Sequence, residues 1–180
     1  MLLKVLLMEK RRGEGDGNNS AVRWTLSELA TETHLSVSEI HYALRRLVET
    51  GLLRAADRRV NRHAIQEFLV HGIRYVFPPA QGRITRGMPT AYAAPPLKGV
   101  IISAGDTAPV WPFAEGTARG TSFSPLYSGA VLAALDDPEF YELLALTDTL
   151  RSDSRARERA AATDFLRSRL AAGSDSFSSV

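Results

Sequence analysis

Between Thr25 and Arg54 the chain reads TLSELATETHLSVSEIHYALRRLVETGLLR, and here its polar and apolar positions are most regular. Val37, Ile40, Leu44 and Leu47 recur at helical spacing and are expected to face a core. Two helices are predicted, over about 25–33 and 36–50, with a turn at His34-Leu35. Each opens on a hydroxyl residue followed three positions later by Glu: Thr25 with Glu28, and Ser36 with Glu39. In such a capping box the hydroxyl accepts the N–H of the third helical residue, while the Glu reaches back to the cap's own N–H. Gly51 supplies a left-handed stop for the second helix. Two short helices starting 11 residues apart have the spacing of a helix-turn-helix.

The same pattern, followed outward, predicts the flanking elements. Leu2, Leu3, Leu6 and Leu7 form an apolar stripe, so residues 1–12 read as an amphipathic helix, and GEGDGNN at 13–19 reads as a flexible loop. Arg23-Trp24 is placed in a short strand. Leu52–Ala55 and Arg59–Arg62, separated by Ala56-Asp57-Arg58, are predicted to form a small hairpin, where a wing belongs. HAIQEFLVHGIRYVF then puts Ile65, Phe68, Leu69, Ile73, Val76 and Phe77 on one helical face, ended by Pro78-Pro79.

Residues 78–128 change character, holding eight of the nine prolines and no helical period. Short strands are expected at Val100–Ile102 and within Val110–Phe123, around Glu115-Gly116. A segment this long without clear elements suggests an ordered functional loop or one packed on a partner. Helical periodicity returns at Asp136–Arg151, through Phe140, Leu143, Leu144 and Leu146, and an Ala/Arg-rich helix follows at about 153–171. The expected fold class is α+β, mainly helical. Its expected parts are a winged helix-turn-helix domain (1–77), an irregular or short-strand segment (78–135), C-terminal helices for dimerisation or partner binding (136–172) and a tail with the composition of disorder (173–180).

Composition narrows the class. Hydrophobic residues make up 44%, and no run approaches the roughly 18 apolar residues of a membrane span. MLLKVLLMEKRR departs from a signal peptide, since Lys4 breaks the apolar run and the charge follows it. With no cysteine, disulfides and thiolate metal sites are excluded; a cytoplasmic location without membrane association is expected. Net charge is only +2, but its distribution is uneven. Residues 1–77 carry 12 Lys/Arg against 9 Asp/Glu, residues 78–135 carry 4 against 2, and residues 136–180 carry 6 against 9. Six arginines fall within 45–62, so the first part is expected to meet a polyanion.

On the second helix the surface opposite the apolar stripe carries Ser38, His41, Tyr42, Arg45, Arg46 and Glu49. In a major groove Ser36, Ser38, His41 and Tyr42 would lie near the helix's N-terminal half, where the dipole favours phosphate and side chains meet base edges. Arg45 or Arg46 would bond guanine bidentately or grip a phosphate. Arg58, Arg59 and Arg62, assigned to the wing, would lie along the neighbouring backbone or minor groove.

These residues resemble the winged helix-turn-helix of bacterial MarR- and ArsR-type transcriptional regulators, over roughly residues 20–77. Leu26, Leu29, Ala30, Ser36, Ile40, Leu44, Leu47 and Gly51-Leu52-Leu53 carry the likeness. Two departures are a short wing and His34-Leu35 in the turn, where such proteins commonly have Gly. The segment after residue 78 does not resemble MarR dimerisation arms, so no effector chemistry is implied.

Other chemistry is thin. The histidines (His34, His41, His63, His71) lack metal-ligand spacing and are read as surface residues, and no metal or cofactor is expected. Arg83–Gly87 lacks the Gly spacing and Lys of a P-loop and is read as a loop whose arginines touch DNA or the acidic C-terminal part. Asp136, Asp137 and Glu139 are read as favourable charge at a helix N-terminus. No nucleophile–base constellation is legible, so the chain is not expected to be an enzyme. The expected function is a sequence-specific DNA-binding transcriptional regulator, a repressor acting as a homodimer on a palindrome, with Leu2–Met8 and the C-terminal helices as dimer surfaces. The alternative is an antitoxin-like protein-binding partner, which would engage another protein through residues 78–172. Its winged helix would then autoregulate an operon or serve only as scaffold.

Overall fold

The computed structural model describes residues 1–13, 24–100 and 107–171; Gly13 closes the first helix rather than opening a loop, and the expectations for residues 14–19, for Arg23, for Ile101-Ile102 and for the 173–180 tail lie outside the described residues. Helix α1 (Leu2–Gly13) is apolar on more than one side, with Leu3, Val5, Leu6, Leu7 and Met8 all buried. Lys4 is fully buried among them. Its Nζ reaches Asp137 Oδ2 and Glu32 Oε2, each at 2.7 Å, and sits 4.9 Å from the Phe140 ring centroid. Leu2–Met8 is thus core within one chain, which corrects the expectation of a dimer surface there: the helix packs on α2 (Leu26–Thr33) and α7 (Pro138–Arg151) instead.

Both capping boxes form. Thr25 accepts the Glu28 N–H at 3.1 Å and Ser36 accepts that of Glu39 at 3.2 Å, with each Glu returning to its cap's N–H. Helix α3 (Val37–Glu49) buries Ile40 and half-buries Leu44 and Leu47, whereas Val37 is 49% exposed rather than core. Around the helix it stands beside Leu44, but as the first residue of α3 it lies at the open end of the stripe. The wing is reduced to a single antiparallel bridge, Leu53 with Val60.

After the wing Asn61 caps α4 (Arg62–Glu67), which runs through a π-helical turn (Phe68–Gly72) into α5 (Ile73–Val76). Ile65, Leu69 and Ile73 are buried, but Val76 and Phe77 are exposed, contrary to the helical pattern. A π turn inserts an extra residue, which rotates later positions off the stripe.

The Pro/Gly-rich middle contains a sheet that periodicity did not announce. Strand β1 (Gln81–Pro89) pairs antiparallel with both β2 (Pro109–Pro112) and β3 (Ala118–Phe123), and β2 pairs parallel with β3, so three strands close on themselves. The expected strands flanking Glu115-Gly116 are present as β2 and β3, but Arg83–Gly87 is strand rather than loop. Closure brings backbones together where side chains would normally stand. A Cβ on Gly87 would lie 2.0 Å from the Trp111 carbonyl oxygen, and one on Gly120 would lie 1.9 Å from that of Ala108. Glycine fills the inward positions, so no apolar alternation marks the strands.

The helix expected over Asp136–Arg151 is present as α7, and a further helix precedes it within the segment expected to be irregular or short-strand. Helix α6 (Ala130–Asp136) ends at Asp137, which is extended and caps α7 by accepting the Phe140 N–H at 3.2 Å. Helix α7 is buried from Leu143 to Arg151 and packs against α1, α5, α6 and α8 (Ala156–Ala171). Buried Asp148 ties it to the sheet, accepting from Thr90 Oγ1 (2.6 Å), Trp111 Nε1 (2.7 Å) and Arg151 Nε (2.8 Å). Arg151 in turn donates to the carbonyls of Phe77 and Ser124. Core residues from α1 to α8 form one contiguous cluster, and the fold is α+β and mainly helical.

Candidate nucleic-acid interface

Helix α3 rests on the core by a narrow stripe and offers the rest of its circumference to solvent. Ser36, Ser38, His41, Tyr42, Arg45, Arg46 and Glu49 are all exposed. Tyr42 is 68% exposed and meets the His41 ring edge-on, with centroids 6.0 Å apart. The two arginines differ. Arg45 Nε is bonded to Glu49 Oε1 at 2.8 Å, one turn along, whereas the Arg46 guanidinium has no partner among the described residues. An exposed pair such as Arg45–Glu49 contributes little and exchanges readily with another anion. Hydrogen bonds from Ser36 hold the Glu39 carboxyl below its usual range, so a negative charge sits at the start of α3 beside the cap.

The wing arginines are arranged around one carboxylate. Arg54 Nη2 lies 2.6 Å from Asp57 Oδ2, and Arg59 Nε approaches the same oxygen at 3.9 Å. Arg58, exposed at the tip, adopts a left-handed backbone (φ 56°), with its guanidinium 5.8 Å from the Trp24 ring centroid. Arg62 is not in the wing. It stands in the first turn of α4, half-buried, and donates from Nη1 to the Leu170 carbonyl at 2.5 Å, capping the end of α8. Seven of the nine residues read as DNA-facing are thus grouped on α3 or its cap and on the tip (Ser36, Ser38, His41, Tyr42, Arg45, Arg46, Arg58). Arg59 is half-buried beside them and Arg62 points into the protein.

Two supports for this surface were not legible as such. Glu9 of α1 accepts the buried Val60 N–H at 2.8 Å, anchoring the wing; burial raises its pKa against the lowering effect of that hydrogen bond and of Arg62 and Arg59. At the turn between α2 and α3, α6 acts as a brace. A Cβ on Gly129 would fall 2.5 Å from the Thr33 carbonyl oxygen and 2.7 Å from that of His34, and His34 Nε2 lies 2.6 Å from Asp136 Oδ2. The histidine stands in the left-handed cap (φ 52°) where glycine is usual.

Among the described residues no group of three or more His, Asp or Glu could hold a metal ion, and no helix is long and apolar enough to cross a membrane. No curated protein and no solved structure matches the chain. One family model does match, and it names a different type from the MarR and ArsR regulators that the residues suggested. Residues 6–57, from α1 to the wing tip, are similar to the IclR helix-turn-helix domain, a DNA-binding domain of bacterial transcription regulators.

Proposed function

We propose that this protein is a sequence-specific transcription regulator that inserts α3 into the major groove, and that it represses as a homodimer on a palindromic operator. The observation that carries the reading is the outer surface of α3. It presents hydroxyl, imidazole, phenol and guanidinium groups along one accessible face, with Arg46 unpartnered among the described residues. The wing tip adds Arg58 beside it, suited to the flanking phosphates. Arg45 reaches DNA by exchanging Glu49 for phosphate or guanine. Dimerisation is inferred from economy: one recognition helix reads a few base pairs, and two symmetric copies reach useful specificity. With Leu2–Met8 taken up by the core, exposed Leu132 and Leu135 on α6 and Tyr75, Val76 and Phe77 after the π turn supply the apolar area for such contacts.

The test is selection of duplexes from a random pool by the full chain, followed by a gel shift on the enriched sequence and on the DNA upstream of its own gene. The expected result is salt-sensitive, sequence-selective binding to a site with two-fold symmetry. A reporter driven by that site should fall when the protein is expressed. No enrichment over the starting pool would overturn the reading.

A further inference from the structure

We propose that the three-stranded sheet carries a second nucleic-acid contact, a phosphate-backbone site built on Arg86 and Arg119. In the β1–β3 ladder these two residues are direct cross-strand partners, so their side chains leave the same face of the sheet side by side. Like charges in that position repel, and sheets normally place opposite charges there. Both arginines are exposed, and neither has a hydrogen-bond or ion-pair partner for its guanidinium among the described residues. The shallow cleft they border is walled by Ile84, Thr85, Thr117 and Ala118, and no carboxylate lines it. The acidic C-terminal helices do not neutralise the pair: the carboxylates of α7 and of its cap Asp137 that form ion pairs engage Lys4, Lys10, Arg11, Arg151 and Arg169 instead. A pair of forked donors with adjacent hydroxyls and no internal counter-charge matches a phosphodiester oxygen set.

This inference rests on the proposed reading of α3, and polyanion backbone is favoured over a free phosphate because of where the pair stands in the chain. From the wing, the helical run of 62–76 covers about 22 Å at 1.5 Å per residue. The ten residues from 77 to 86 add at most about 35 Å. The sheet therefore lies within about one and a half turns of a duplex held at α3, taking roughly 34–36 Å per turn. There the pair would grip flanking backbone without reading sequence, and add to the salt dependence of binding.

The test titrates the full chain with a fluorescent duplex of mixed sequence across a salt series, comparing wild type with Arg86→Gln/Arg119→Gln, Arg86→Lys/Arg119→Lys, Arg167→Gln and Arg46→Ala. Thermal melting and circular dichroism establish that each variant is folded. Each lost phosphate contact lowers the slope of log affinity on log salt by about 0.9, so the double Gln variant should lose about 1.8. The Lys pair should retain the slope, and exposed Arg167→Gln should leave it unchanged. If Arg46→Ala weakens binding while the double Gln variant keeps the wild-type slope, the sheet site is overturned and the α3 reading stands. If wild type binds no duplex, both are overturned. Repeating the titration with inorganic phosphate at constant ionic strength separates the sources: displacement by phosphate that wild type shows and the Gln pair lacks would identify a free-phosphate site and overturn the backbone contact.

Discussion

His34 Nε2 lies 2.6 Å from Asp136 Oδ2, joining the turn of the helix-turn-helix to a helix 102 residues further along the chain. The pair has a companion at the other end of α6, where Gly129 lets the helix start against the carbonyls of Thr33 and His34. The turn is therefore held by packing at one end of α6 and by an exposed polar contact at the other. The two supports should differ in weight.

Replacing Gly129 with Ala places a methyl group 2.5 Å from a backbone oxygen, which only movement of α6 or the turn can relieve. Overpacking of this kind costs about 1–3 kcal/mol. Asp136→Asn, at a side chain 68% exposed, should change stability by less than about 1 kcal/mol. Thermal melts of the two variants check the order. Equal losses would mean that the exposed polar contact carries as much of the support as the packing at Gly129.

How far the sequence announced this arrangement depends on the range of the physics. The capping boxes at Thr25 and Ser36 are contacts three residues long, and both were legible to the residue. The brace at Gly129 was not, because a glycine that allows close approach has no local pattern and its partner lies in a distant segment. The sheet was hidden for a related reason: Gly87 and Gly120 face inward, so the alternation that marks a strand is missing. Lys4 misled in the opposite direction. Read as a break in the apolar run, it lies inside the core, where the carboxylates of Glu32 and Asp137 make its burial tolerable. On the candidate interface, residue types on α3 were readable from spacing, but Arg62 was assigned by proximity to the wing and turns to Leu170 instead.

The two arginines of α3 should separate in binding experiments. Arg46 carries no internal partner among the described residues, so Arg46→Ala removes only an outward contact; if it reads a base, about 1–3 kcal/mol of discrimination at one base pair is lost. Arg45→Ala also frees Glu49, leaving a carboxylate beside the DNA. Arg45→Ala/Glu49→Ala should therefore bind more tightly than Arg45→Ala alone. Competition between operator variants checks both statements, and unchanged preference for both single variants would place the reading surface elsewhere.

Glu9 offers a test of wing anchoring. Its carboxylate accepts the buried Val60 N–H, and burial, the largest influence, raises its pKa. A raised carboxyl pKa makes the folded protein bind the proton more tightly than the unfolded chain, so this group's contribution weakens as pH rises through the interval above the ordinary Glu value. Glu9→Gln keeps an acceptor oxygen without the charge and should be neutral or stabilising near pH 7. Glu9→Ala leaves the N–H unpaired, at a cost of about 1–3 kcal/mol. Denaturant midpoints of the three proteins at fixed pH decide the case; a Gln variant as unstable as the Ala variant would show that the charge itself holds the wing.

The opposite pH dependence is expected at Asp137, which sits 6% exposed between Lys4 and Arg11. Burial pushes its pKa up, but hydrogen bonds from Arg11, Lys4 and the Phe140 N–H, with the charge of Lys4, together bring it from 3.8 down to about 2. Because the folded value is depressed, the stabilisation is complete above the unfolded value near 3.8 and is lost as pH falls through about 2. Nearly two pKa units correspond to about 2 kcal/mol. Asp137→Asn removes this contribution at neutral pH and leaves buried Lys4 with Glu32 as its only carboxylate among the described residues. The stability gap between wild type and Asp137→Asn, measured by urea denaturation, should hold constant from pH 7 to about 4 and shrink by about 2 kcal/mol toward pH 2. No gap at any pH would mean that Asp137 acts through its α7 cap alone, since an Asn side chain preserves that cap.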